Sequence, residues 1–165
     1  MEIESIRPLI LRPHWIQYCL CQLGSMAIVL LLAVATAIAG RYDNILKNIL
    51  LAITILALSI LLYRIINMRR IRYIITEEQI LYQHGVFSYV TDYIELYRVY
   101  DYQQNSDLLQ QITGMKTVIV MANDRNTPVM NIIGIKKDVD IITQIRRRVE
   151  YNKERKQVYE IGNRY

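Results

Sequence analysis

The distribution of hydrophobic residues divides the chain into an apolar first part and a mixed second part. Two apolar runs cover residues 16–39 and 45–66, and each exceeds 20 residues. At about 1.5 Å per helical residue, a run of that length crosses the roughly 30 Å of hydrocarbon in a bilayer. The pattern therefore predicts a hairpin of two transmembrane helices joined by a short external loop at residues 40–44.

After the hairpin, the apolar residues follow the periodicity of β-strands. Short segments rich in β-branched and aromatic residues are separated by turn residues and predict strands at 71–76, 79–84 and 86–94. Residues 95–102 continue as a fourth strand. Its Leu96 and Val99 lie three apart, which breaks strict alternation and predicts a bulge between them.

The remainder predicts a short helix, a β-hairpin and a closing helix. Residues 106–114 have the pattern of one or two helical turns, and 116–122 with 128–133 that of paired strands. The last helix is expected to begin near Asp138, because apolar residues recur there at spacings of three and four: Val139, Ile142, Ile145 and Val149. The predicted fold is a membrane helical hairpin followed by an α+β domain of antiparallel strands capped by a C-terminal helix.

Basic residues predict the orientation of the hairpin. They are concentrated where the two runs leave the bilayer on the side of the chain ends, at Arg7, Arg12, Arg64, Arg69, Arg70 and Arg72. The loop offers only Arg41 and Lys47. The positive-inside rule places both termini in the cytoplasm. A cleaved signal peptide is the alternative, since residues 35–39 are small, but the run is longer than a signal h-region and a second run follows at once.

Four segments follow from these boundaries. Residues 1–15 form a cytoplasmic N-terminal segment, 16–66 the hairpin, 67–150 the folded domain and 151–165 a polar C-terminal extension. The extension is either a free tail or a docking peptide anchored by Val158 and Ile161. Within the first run, the small-residue pairs Ala33/Ala37 and Ala35/Ala39 would let another helix approach closely, either the second span or a neighbouring protomer.

The sequence contains no arrangement of residues that indicates catalysis or metal binding. Its Ser, Cys, His and Asp residues do not pair as a nucleophile and base, and no Gly-rich phosphate loop is present. Cys19 and Cys21 lie on roughly opposite faces of a helix, so they read as small membrane side chains or, alternatively, as acylation sites. His84 reads as a surface residue at a strand end. We therefore expect no enzyme activity, no cofactor and no metal.

The charge of the chain disfavours nucleic acid as a partner. From residue 69 onward there are 15 Lys and Arg against 12 Asp and Glu. This excess is too small for nucleic-acid binding but suits a domain beside an anionic leaflet.

The strand and helix pattern, together with particular segments, resembles the bacterial pleckstrin-homology (PH) domain of the second bacterial PH family, in the two-span arrangement of YdbS-like membrane proteins. The matching segments are residues 72–78 (RYIITEE), 84–87 (HGVF), 94–101 (IELYRVYD) and 106–118 (SDLLQQITGMKTV), with Arg12, Pro13 and His14 before the first span. The resemblance implies a PH-like barrel in the bacterial cytoplasmic (inner) membrane. The family is named for its fold and implies no catalytic reaction.

Lipid binding is one function that the resemblance suggests. Eukaryotic PH domains often hold phosphoinositides with basic residues between their first two strands. The loop identified here as its counterpart, residues 76–79, instead carries Glu77 and Glu78, which would repel a phosphate. The candidate basic groups are Arg69, Arg70 and Arg72 under the membrane and Arg146, Arg147 and Arg148 on the last helix. These residues either form solvated surfaces and set the orientation of the hairpin, or they attract anionic lipid headgroups.

The preferred function is a protein-interaction or scaffolding module held at the membrane, in a homo-oligomer or a larger membrane complex. PH-type barrels leave open strand edges that can accept another chain. A group of tyrosines on consecutive predicted strands is the candidate interface, because tyrosine is enriched at interfaces: Tyr89, Tyr93, Tyr97, Tyr100 and Tyr102. A channel or transporter is disfavoured because the spans hold no buried charge.

Overall fold

A computed structural model describes residues 7–157 of the 165-residue chain. Its elements in chain order are strand β1 Leu9–Leu11, helix α1 Trp15–Ala39, helix α2 Asn44–Arg69, strands β2 Arg72–Ile75, β3 Gln79–His84, β4 Val90–Glu95 and β5 Val99–Asn105, helix α3 Leu108–Thr113, strands β6 Met115–Ala122 and β7 Val129–Lys136, and helix α4 Ile141–Arg155. A 3-10 turn, Leu96–Arg98, separates β4 from β5. The docking-peptide residues Val158 and Ile161 lie outside the described part.

Helices α1 and α2 form the predicted antiparallel hairpin. Each is long and apolar enough to cross a membrane, with mean hydropathy 2.2 for α1 and 2.6 for α2. The Thr36 and Thr54 hydroxyl oxygens lie 3.2 Å apart between the helices, and each is also within hydrogen-bonding distance of a carbonyl of its own helix, so one hydroxyl can donate across the pair while the other donates to its own helix. These bonds satisfy both hydroxyls inside the pair, as a hydrocarbon environment requires.

The two small-residue pairs of α1 face different directions. Ala39 is buried and Ala35 half-buried, in line with Thr36, which contacts α2. Ala33 and Ala37 are exposed. The pair Ala35/Ala39 therefore packs against α2 within the hairpin, whereas Ala33/Ala37 leaves a face on which another helix can pack.

The strands form two antiparallel sheets, ordered β1-β2-β3-β4 and β5-β6-β7. Strand β1 was not predicted. It pairs with β2 from Leu9 opposite Ile75 to Leu11 opposite Tyr73. A strand of three residues between two prolines is too short to give a period-two signal. The hairpin is therefore inserted between the first two strands of the domain and does not merely precede it.

The predicted strands 86–94 and 95–102 are corrected by the structure. Residues 86–89 form a turn, and Gly85 adopts φ of 111°, where an added Cβ would meet the Ser88 carbonyl oxygen. The irregularity at Leu96 and Val99 is a 3-10 turn, not a bulge within one strand, and a register shift follows it between Val99 and Asp101. A spacing of three fits a 3-10 turn, which places both side chains in the core.

One hydrophobic core lies between the sheets and α4. It includes Ile75, Ile80 and Ile94 of the first sheet and Val118, Val120 and Ile132 of the second. Tyr73 joins the sheets: its hydroxyl donates to the Asn131 carbonyl at 2.8 Å and accepts from the Ile133 N–H. Burial raises the pKa of Tyr73 well above its ordinary value, so the hydroxyl stays protonated.

Helix α4 covers the core with Ile141, Ile145 and Val149. It begins at Ile141, after Asp140 caps it by accepting from the Thr143 N–H at 3.2 Å. Val139, predicted inside the helix, precedes it and is half-buried against the core.

Candidate functional site

The hairpin and the domain are joined by hydrogen bonds at the start of α1. The His14 N–H donates to the Gly134 carbonyl at 2.9 Å. The Gln110 amide of α3 donates to Gln17 Oε1 at 3.0 Å and to Thr117 Oγ1 at 3.0 Å, and its own Oε1 accepts from the Asp107 N–H. Gln17 and Gln110 are both buried. We call this set of contacts the junction.

Gly134 lets α1 and β7 approach closely at the junction. It has φ of 68°, in the region that favours glycine. A Cβ at this position would lie 2.7 Å from Gln17 Cβ and 3.3 Å from Pro13 Cβ. A side chain here would therefore push α1 away from the domain. Gln17, Gln110 and Gly134 were missed by the sequence analysis, although a glutamine inside an apolar run was an available signal.

Exposed apolar side chains of the domain lie beside both helices of the hairpin. Next to α1, helix α3 exposes Leu108 (78%) and Ile112 (82%). Next to α2, Phe87 is 92% exposed and its ring stacks on Tyr63, with centroids 6.1 Å apart. Exposed apolar side chains of the domain thus occur on segments next to both helices of the hairpin.

The basic group Arg69, Arg70 and Arg72 lies at the base of the hairpin, where α2 ends and β2 begins, and all three residues are exposed. Arg12, between β1 and α1, is exposed at the same base. The β1–α1 and α2–β2 connections thus carry positive charge where the helices leave the apolar zone.

The second basic group does not form one exposed face, because Arg148 is buried. Only 6% of it is exposed, and its guanidinium donates to the carbonyls of Ile75, Thr76 (3.0 Å) and Arg7 (3.0 Å). Burial lowers its pKa and Glu77 opposes this, leaving the group charged at neutral pH. Arg148 therefore has a structural role, because it holds three backbone carbonyls together. Helical periodicity could not reveal this, since a basic residue beside an apolar stripe is normally exposed to solvent.

The exposed cations of α4 lie away from the hairpin. This helix of 15 residues is about 22 Å long. Its last turn contacts the β2–β3 turn, where Arg155 pairs with Glu78 and Asn152 donates to the Glu77 carbonyl. That turn is at the end of β2 remote from α2. Screening over about 8 Å at physiological salt therefore separates most of this charge from a membrane at the hairpin.

The five candidate tyrosines do not form one surface. Tyr89 and Tyr93 are exposed on the first sheet and the turn before β4, whereas Tyr100 is exposed on the second sheet. Tyr97 lies in the 3-10 turn under the Lys156 ammonium, 4.2 Å from the ring centroid, and Tyr102 lies under Arg146 at 5.9 Å. The reason is that β4 and β5, which read as neighbours in sequence, belong to different sheets.

The loop at residues 76–79 joins the second and third strands, not the first two. Its comparison with the phosphoinositide loop is therefore wrong, because β1 was not recognised. The connection between the first two strands is the hairpin itself, with arginines at both ends.

Within residues 7–157 the structure contains no group of three or more His, Cys, Asp or Glu residues able to hold a metal ion. Cys19 and Cys21 are both exposed. His84 stacks on Tyr82, with ring centroids 4.6 Å apart, and its Nδ1 lies 3.8 Å from Asp92.

Four and three antiparallel strands closed by a C-terminal helix define a PH-like domain, and it is joined to two helices that are long and apolar enough to cross a membrane. The family model for the bacterial PH domain matches residues 18–149, which include α2 and all but the first three residues of α1, and the chain belongs to this family. The predicted family and fold class are thus confirmed. The comparisons with curated proteins and with solved structures give no match.

Proposed function

We propose that the protein is a non-catalytic scaffold of the bacterial cytoplasmic membrane. Its termini lie in the cytoplasm, its hairpin fixes the PH-like domain against the inner leaflet, and the domain binds another protein chain. The protein acts in a homo-oligomer or with other membrane subunits. The observation that carries this proposal is the open edge of strand β5 on a domain fixed to its membrane anchor.

Strand β5 offers unpaired backbone groups on one edge. It is the outer strand of its sheet and pairs only with β6 among the described strands. The Tyr102 N–H donates to the Asp101 side chain. Tyr102 lies opposite Val120, and the Ala122 N–H, two residues after Val120, donates to the Pro128 carbonyl on the β7 side, so the Tyr102 N–H points to the open edge. Because backbone groups alternate in direction along an antiparallel strand, the Gln104 N–H also points to the open edge. The exposed Gln103, Gln104 and Asn105 leave this edge accessible to an added strand.

The junction fixes the position of the β5 edge relative to the hairpin. The hairpin leaves the domain between β1 and β2, and α1 is bonded to β7 and α3. The chain therefore enters and leaves the bilayer from within one folded unit, without a flexible linker. In addition, the exposed pair Ala33/Ala37 supports close packing of hairpins in an oligomer.

The test compares Gln104→Pro with Gln104→Ala in full-length protein extracted from membranes in mild detergent. Proline removes the outward N–H and, on an edge, no bond of the sheet, whereas alanine removes only the side chain. We expect Gln104→Pro to lose the partner chain while keeping the thermal midpoint within a few degrees, and Gln104→Ala to keep the partner. Light scattering corrected for detergent, with mass spectrometry of every chain present, gives the composition.

Two results would contradict this proposal. One is a wild-type particle of a single chain with no companion. The other is a complex that survives Gln104→Pro unchanged.

Binding of anionic lipid headgroups is the second candidate function. The exposed Arg69, Arg70 and Arg72 at the hairpin base favour it, at about 1 kcal/mol per basic residue near an anionic surface. The lipid class that remains bound after purification tests it, and retention of zwitterionic lipid alone would contradict it.

A further inference from the structure

A cavity of about 590 Å³ opens between the start of α1 and the end of α2. At its base-facing end it is lined by Arg12 and Arg69, and further along by Cys19, Met26 and Ile65. From Trp15 to Met26 the lining follows α1 for eleven residues, or about 16 Å. The cavity thus runs from a doubly positive entrance into an apolar slot.

The two entrance arginines are available to a ligand. Within the part of the chain that the structure describes, neither Arg12 nor Arg69 forms an ion pair or a hydrogen bond through its guanidinium. Two arginines of the domain, by contrast, are engaged: Arg98 pairs with Glu95 and Asp124, and Arg155 with Glu78. Two free guanidinium groups at one opening are suited to the oxygens of a phosphate, which they contact through several N–H donors.

A buried amide without a partner lies inside the slot. Gln22 lines the cavity and is 8% exposed, and its Oε1 has no hydrogen-bond partner among the described atoms. Leaving a buried amide without hydrogen bonds is costly, and its –NH2 group can donate to an acceptor oxygen of a ligand. Gln22 is seven residues, or about 10 Å, beyond Trp15, between the arginine end and the apolar end of the slot.

We infer that this cavity binds one anionic phospholipid of the surrounding leaflet. Its phosphate lies between Arg12 and Arg69, an ester carbonyl accepts from the Gln22 –NH2, and one acyl chain follows Met26 and Ile65. Along the cavity the arginines, the Gln22 amide and the apolar side chains follow one another in the order of the phosphate, ester and acyl chain of a phospholipid. A soluble phosphate ester would leave the apolar length unfilled. This site lies in the hairpin and does not depend on the scaffold function.

The chain contains a single tryptophan, Trp15, and it lines this cavity. Full-length protein is placed in nanodiscs of phosphatidylcholine that contain a small fraction of phosphatidylglycerol brominated on its acyl chains. Bromine quenches tryptophan fluorescence at short range. We expect brominated phosphatidylglycerol to quench Trp15 at a mole fraction on the order of ten-fold lower than brominated phosphatidylcholine does, as two arginines beside one anionic group imply.

Three variants identify the site. Arg12→Gln/Arg69→Gln removes the entrance charges and is expected to abolish the preference between the two lipids. Ile65→Phe keeps those charges but fills the slot, and is also expected to abolish it. Arg70→Gln/Arg72→Gln removes two charges from the same base outside the cavity lining and is expected to retain it. Unchanged elution in detergent shows that each variant is folded.

The inference is overturned if wild-type quenching follows mole fraction equally for both lipids, or if both arginine pairs reduce the preference equally. Retention of the preference in Ile65→Phe would also overturn it. Excess glycerol 3-phosphate should not relieve the quenching. Relief would show that the arginines bind the phosphate alone and that the apolar slot adds nothing, which would also overturn the inference.

Discussion

At the scale of single residues, Arg148 connects more of the domain than any basic residue on an exposed surface could. Its guanidinium holds two carbonyls at the end of β2 and one before β1, while its helix covers the core. Buried carbonyls that lose a donor cost about 1–3 kcal/mol each. The planar guanidinium reaches all three at once, which a single ammonium cannot do.

Arg148→Lys is therefore expected to destabilise the domain by about 2–4 kcal/mol although the charge is kept. Thermal unfolding in detergent, followed by circular dichroism, measures the change. Arg147→Lys, on the exposed side of the same helix, is the control and should shift the midpoint little. Equal midpoints for the two variants would show that the three carbonyl bonds do not stabilise the domain.

Gly134 sets the approach of the hairpin at the same scale. Gly134→Ala combines an unfavourable backbone angle with contacts of an added Cβ to Gln17 at 2.7 and 2.8 Å. We expect a loss of about 1–3 kcal/mol and faster proteolysis at the junction. Gly24→Ala in α1 meets nothing within 4 Å and should be neutral or slightly stabilising.

The measurement is thermal unfolding of both glycine variants, with limited proteolysis of the same samples. If Gly134→Ala resists protease as well as Gly24→Ala does, the contact between α1 and β7 is not what fixes the domain.

At the scale of elements, long patterns could be predicted and short or tertiary ones could not. Both apolar helices, β3, α3, the β6–β7 hairpin and α4 follow directly from periodicity and turn chemistry. Strand β1 escaped because three residues carry no period, and the break at Leu96–Arg98 was read as a bulge because only the sheet topology shows that the chain changes sheets there.

The candidate site shows the same division. The arginines at the hairpin base could be predicted from the sequence, because basic residues that set membrane orientation lie next to the ends of the apolar runs. The junction glutamines and the burial of Arg148 depend on contacts over 93 and 141 positions of the chain, which no local pattern contains.

At the scale of the whole molecule, one end of the domain lies next to the hairpin and the other end lies far from it. The β6 end at Met115 is next to α3, and the opposite end at Ala122 pairs with Val99 beyond the 3-10 turn. Strand β6 has eight residues and spans about 26 Å. The surface with Phe87 and Ile112 is therefore near the hairpin, while the β6–β7 turn with Arg125 is far from it.

Large exposed apolar side chains beside two membrane-length helices are stabilised if the headgroup layer covers them. We expect Phe87 and Ile112 to lie in the bilayer interface and Arg125 to lie in water. In a Cys19→Ser/Cys21→Ser background, a polarity-sensitive fluorophore is attached in turn to Phe87→Cys, Ile112→Cys and Arg125→Cys in nanodiscs. Labels at the first two positions should shift to shorter wavelength and be quenched by brominated lipid, whereas the label at the third should do neither.

This comparison also tests how the domain is held. A hairpin that served only as a tether would leave all three labels in similar aqueous surroundings, because the domain would turn freely above the leaflet. A junction that holds α1 against β7 and α3 fixes the side of the domain that meets the lipid. Water exposure at residue 87 equal to that at residue 125 would thus contradict the fixed orientation, and the position of the β5 edge with it.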